Sequence, residues 1–199
     1  MKRVIIPMIL ATTIYASGTD ANTTENNTTK PQMSPVVLKG VTAIKMLGGE
    51  LKKNIKAKFK EDKSGLTAAK FCAEKATDIA KEVATKFPQG VSVRRVSTKN
   101  RNKANKADSI DTKILAQFQE ELDNKTFVKK PKLVDVNGTK RVYVPIIIKE
   151  ACIKCHGDNI DPKIASIIKE HYPNDKATGF KIGDLRGAMV AEIKEDTKK

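Results

Sequence analysis

KLVDVNGTKRVYVPIII, residues 132–148, decides how this chain folds. Asn137-Gly138 supplies the positive φ that a two-residue hairpin turn requires, and β-branched residues run on both sides of it. The pattern predicts an antiparallel hairpin with strands over 132–136 and 139–148. Upstream, Ser34 before Pro35 marks a helix start, and apolar residues recur at helical spacing at Val37, Val41, Ile44, Leu51, Ile55 and Phe59. Gly48 and Gly49 predict a bend in its middle, because each weakens a helix by roughly 1 kcal/mol relative to alanine. A second helix is predicted from Ser64-Gly65 to just before the FPQG of 87–90, with Leu66, Ala69, Cys72, Ala76, Ile79 and Val83 on its apolar stripe.

VSVRRVS (91–97) predicts a strand, TKNRNKANKAD (98–108) a polar loop, and Asp108 the start of a third helix carrying Ile110, Ile114, Leu115, Phe118 and Leu122. A short helix is expected from Asp161 to about His171. The closing KIGDLRGAMVAEI (181–193) predicts a turn and an edge strand. Helices come first and strands mixed with helices follow, the order of an α+β domain on an antiparallel sheet.

Directly after the hairpin stands ACIKCHGD (151–158). Cys152, Cys155 and His156 form the Cys-x-x-Cys-His signature of c-type haem attachment. Two residues between the thiols match the two vinyl groups, and the adjacent histidine is placed to bind iron. Zinc is the competitor: Cys72, Cys152, Cys155 and His156 or His171 would make a Cys3His set. Zinc ribbons present two close pairs, whereas Cys72 stands alone far upstream. A thioredoxin-like dithiol needs a preceding parallel strand, and here a hairpin precedes.

Lys2 and Arg3, an apolar run over 4–15 and the small residues Ala16, Ser17 and Gly18 read as a secretory signal peptide over 1–18. Retained, the same run would be an N-terminal anchor, although it is short of the about 20 residues of a comfortable span. Residues 19–35, rich in Asn and Thr, read as a flexible linker, and 36–199 as one domain. Its Asn-x-Thr triplets would accept glycans only on a eukaryotic secretory route. Export, with haem attached outside the cytoplasm, predicts a bacterial periplasmic location without a stable membrane span after cleavage. The formal charge of +15 becomes +13 once Lys2 and Arg3 are removed. Scattered lysines, few aromatics and export argue against nucleic acid and favour an acidic protein partner or an anionic membrane face. Three cysteines, an odd number, argue against a pure disulfide framework.

AAKFCAEKATDIA, VRRVSTKNRNKAN, YVPIII, CIKCHGD, YPNDKATGF and IGDLRGAMV together resemble the c-type haem, PAS-like cytochrome family, the Tll0287-like domain, from about residue 36 onward. The resemblance implies a PAS-like fold behind a helical section. It also implies one covalent haem, with His156 on one face of the iron and Cys72 on the other. Family members often carry proline after the RN of the loop, where this chain has Lys103. Other residues that could fill the second axial position are His171, Met189 and Met46; the alanine-lined stripe and the odd cysteine count favour Cys72. Arg94, Arg95 and Arg186 are named as partners for the propionates, because guanidinium binds carboxylate bidentately. The expected function is an exported monohaem electron carrier working with a redox partner protein. A haem-based redox or small-ligand sensor is the alternative, and a haem enzyme ranks third because only two histidines are present.

Overall fold

The structure, a computed structural model, describes residues 33–194. The signal peptide expected over 1–18, the Asn-x-Thr triplets and all but the last residues of the linker lie outside the described residues. Helix α1 (Pro35–Glu61) starts where Ser34 accepts a hydrogen bond from the Val37 amide, with Pro35 in the first turn. It runs uninterrupted through Gly48 and Gly49.

The second predicted helix is two. Helix α2 (Leu66–Glu74) and helix α3 (Ala76–Ala84) meet at Lys75, whose φ of −116° departs from helical geometry. The halves bury against different partners. Ala69 of α2 packs on Ile164 and Ile168, whereas Ala76 and Val83 of α3 join the main core. Helix α4 (Ser109–Asp123) begins with a reciprocal capping box between Asp108 and Asp111. Helix α5 (Glu150–His156) carries the cysteine motif, and α6 (Pro162–His171) starts at Asp161, which accepts from the Lys163 amide at 2.8 Å.

Strands β1 (Val91–Val96), β2 (Lys132–Val136), β3 (Thr139–Ile147) and β4 (Leu185–Lys194) form one antiparallel sheet in the order β1-β4-β3-β2. The hairpin is present with its Asn137-Gly138 turn, both residues at positive φ. The last strand is central rather than an edge, correcting the expectation from sequence. Small residues make that possible. Gly187, at φ +146°, lies so close to β1 that a Cβ would strike the Val96 carbonyl oxygen.

Strand periodicity gives the sheet two buried faces. On one, Val41, Ile44 and Leu47 of α1 meet Val142, Met189, Ala191 and Ile193. Gly40 allows this close approach, since a Cβ there would sit 2.7 Å from Val142 side-chain atoms. On the other face, Ile114, Leu115 and Phe118 of α4 meet Val96, Tyr143, Ala188 and Val190. The β3–β4 register breaks between Ile146 and Ile147, where the chain turns off the sheet toward α5. Among the described residues, no helix is long and apolar enough to cross a membrane.

Candidate functional site

Helix α5 gets its position from what its cysteines touch. Cys152 packs against Ile148, Ala177 and Phe180, and Cys155 against Ala69, Ile164 and Ile168 of α2 and α6. All three cysteines are free thiols. The segment after α6 then wraps the motif. Gly179 donates its amide to the Gly157 carbonyl at 3.0 Å, and Phe180 donates to the His156 carbonyl at 2.9 Å.

The His156 ring is held the way metal-binding imidazoles usually are. Nδ1 lies 2.7 Å from the Ala177 carbonyl oxygen, which can only accept, so the proton sits on Nδ1. Nε2 keeps its lone pair and has no protein hydrogen-bond partner among the described residues. The Phe180 ring stands edge-on to it at 6.3 Å. Burial, with the positive charges of Arg101 and Arg186, pushes the imidazole pKa down to about 3. The ring is therefore neutral at ordinary pH, the form a metal requires.

Cys72 on α2 is half-buried, and Ala68, Ala69 and Ala76, near it in sequence, are buried. Burial foremost, and then Cys155, push its thiol up to about 11, against the opposing pull of Arg95 and Arg101. The Tyr172 hydroxyl donates to the Cys72 carbonyl at 3.3 Å. Cys72, Cys155 and His156 thus share one electrostatic neighbourhood with Arg95, Arg101 and Arg186.

The named arginines divide. Adjacent strand residues point to opposite faces, and Arg94 takes the α4 side. Its Nη1 and Nη2 donate to buried Asp111 at 2.8 and 3.0 Å, and its Nε donates to Glu192 at 3.2 Å. Although burial opposes it, these carboxylates raise its pKa. Arg94 is committed to the fold, and the expectation that it meets a propionate is corrected. Arg95 stands on the Cys72 side and makes no hydrogen bond or ion pair among the described residues. Arg186 donates to Ser97 Oγ and to the Lys99 carbonyl and lies 5.4 Å over the Phe180 ring, with no carboxylate paired to it among the described residues. Burial and its cationic neighbours lower its pKa to about 10.

Arg101 was not legible as a site residue. Its Nη2 donates to the Cys155 carbonyl at 2.6 Å and the Ala177 carbonyl at 3.2 Å, and pairs with Asp175 at 3.0 Å. One guanidinium therefore ties the motif helix to the segment that orients His156. The only signal was its place in the loop sequence KNRN.

The other axial alternatives lie elsewhere. His171 turns its Nδ1 to the Ile167 carbonyl on an exposed helix end, Met46 is exposed, and Met189 belongs to the main core. Among the described residues, no group of three or more His, Cys, Asp or Glu side chains is arranged to hold a metal ion, so the zinc set is not assembled. A haem suits the donors that are present. They comprise a neutral imidazole with one free nitrogen, two thiols one turn apart, a third thiol from a second helix, and cations for two carboxylates.

The Tll0287-like family model matches residues 3–193. This chain belongs to the Tll0287-like family. Among solved structures it is similar to the crystal structure of the cyanobacterial heme-protein Tll0287, at 28% identity and a TM-score of 0.50, over 62% of this chain and 72% of that one. No curated protein sequence matches it. The likeness covers the mixed architecture described above, helices around a four-stranded antiparallel sheet.

Proposed function

We propose that this Tll0287-like chain is an exported, periplasmic monohaem c-type cytochrome with a PAS-like fold that carries electrons and has no catalytic activity of its own. Cys152 and Cys155 hold the haem covalently, His156 and Cys72 bind its iron, and Arg95 and Arg186 receive its propionates. The observation that carries the reading is the His156 ring, neutral and fixed by the Ala177 carbonyl with Nε2 uncommitted, in the same helix as two free thiols. The similarity to a heme-protein supports the same cofactor.

When bound, the haem supplies one-electron exchange at its iron. Everything else falls to the chain. Ala177 and Phe180 fix the imidazole plane, and Arg101 locks the α5 backbone to the segment that carries Ala177. Ile164, Ile168 and Ala69 keep water from the Cys155 side. Cys72, on α2, would be the second protein group to hold the iron, which would leave no position for a substrate. The discriminating experiment mixes the reduced protein with carbon monoxide. Slow or absent spectral change is expected of a carrier; rapid, complete binding would replace this reading with the small-ligand sensor.

A further inference from the structure

We propose a second binding site: the cavity between the 98–107 loop and the end of α6 takes a compact polyanion of the di- or tricarboxylate class. Its volume is about 660 Å³, within the roughly 300–1,000 Å³ of small-molecule sites. Arg101, Lys103, Lys106 and Lys176 all line it, and among the described residues no Asp or Glu does.

A basic chain is expected to carry solvated lysines, and what marks this group is its place around one concavity. Some lysines of the fold are paired with acids, as Lys132 is with Glu121 and Lys140 with Asp135. Lys103, Lys106 and Lys176 make no side-chain ion pair with an acid among the described residues, although they converge with an arginine on one concavity. Asp175 pairs with Arg101 at 3.0 Å, but the three lysines have no such counter-charge among the described residues, and like charges gathered in this way repel.

The second observation is Arg101 itself. Its side chain is 14% exposed, and its Nε is buried with no hydrogen-bond partner, although its Nη2 is fully used. Asp175 and two carbonyls occupy Nη2, so the guanidinium has its Nε–H left to offer an anion, while the lysines supply point charges around it. Tyr172 and Asn174 add neutral hydrogen-bonding groups to the same wall.

The site is also wired to the thiols. Arg101 bonds the Cys155 carbonyl and Tyr172 bonds the Cys72 carbonyl. An anion held there would lower the positive potential beside both helices that carry the proposed haem ligands. The proposal stands on the cavity and does not need the haem, so the two can fail separately.

The test is calorimetric titration of the full chain with citrate at fixed ionic strength, with and without attached haem. One saturable site per chain is expected in both forms. Lys103→Gln/Lys106→Gln/Lys176→Gln should weaken it about tenfold or more, with the haem spectrum unchanged. The matched variant Lys52→Gln/Lys56→Gln/Lys60→Gln, on exposed positions of α1, should leave it intact. Equal weakening by both variants, or no saturable binding, would overturn the proposal. Binding that vanishes once haem is attached would overturn it too, because the propionates would then hold the cavity. Tight binding of pyrophosphate without citrate would overturn the carboxylate assignment.

Discussion

Cys72 is the residue on which most of the proposed chemistry turns. Burial favours its neutral thiol, whereas an iron ligand must be a thiolate, and coordination is strong enough to reverse the preference. Cys72→Ala should keep the covalent haem, since attachment depends on Cys152 and Cys155. It should remove the thiolate signature from the ferric spectrum and open the iron to carbon monoxide. It should also raise the reduction potential, by on the order of 100 mV, because a thiolate favours ferric iron and axial ligands set potentials over a wide range. An unchanged spectrum and potential would make Cys72 a packing residue. At this scale the sequence shows what chemistry a residue can do and little of what claims it. Arg94 and Arg95 look alike in VSVRRVS, yet strand alternation hands Arg94 to Asp111 and leaves Arg95 beside Cys72. Arg101 stayed hidden because its partners, Cys155, Ala177 and Asp175, lie more than 50 residues away and meet it only in the folded chain.

Helix α2 positions Cys72, and Asp62 is what starts it. The Asp62 carboxylate accepts from the Ser64 hydroxyl at 2.7 Å and amide at 2.8 Å, and from the Thr67 amide at 3.1 Å. The Ser64 hydroxyl foremost, then the two amides, lower its pKa from 3.8 to about 2. The folded state thus prefers the carboxylate more than the unfolded state does. The stabilisation is complete above pH 3.8 and fades as pH falls toward 2. Asp62→Ala should melt below the parent at pH 7, and thermal melts should show the gap shrinking as pH approaches 2. A gap that persists there would mean Asp62 acts through something other than its charge.

Elements with local punctuation were legible for this reason: Ser34-Pro35, Asp108, Asp161-Pro162 and Asn137-Gly138 all mark real boundaries. The break at Lys75 has no such mark, since neither Gly nor Pro stands near it and only divergent packing divides α2 from α3. The central place of β4 was equally hidden. An edge strand was expected there, but its small residues allow a neighbouring strand and helices on both faces to close in.

On the scale of the whole molecule, the charge of +13 expected for the exported chain acts at a distance. Exposed charges are screened over about 8 Å at physiological ionic strength, so electron exchange with an acidic partner should slow as salt rises. A stopped-flow series that stays flat from low to high salt would show that the lysines only solvate the surface. The central claim, that α5 carries a covalent haem, has a more direct test. The protein is expressed with a haem-maturation system, denatured, and weighed by mass spectrometry. One haem added to the processed polypeptide is the expected result, and a mass equal to the bare polypeptide would contradict it.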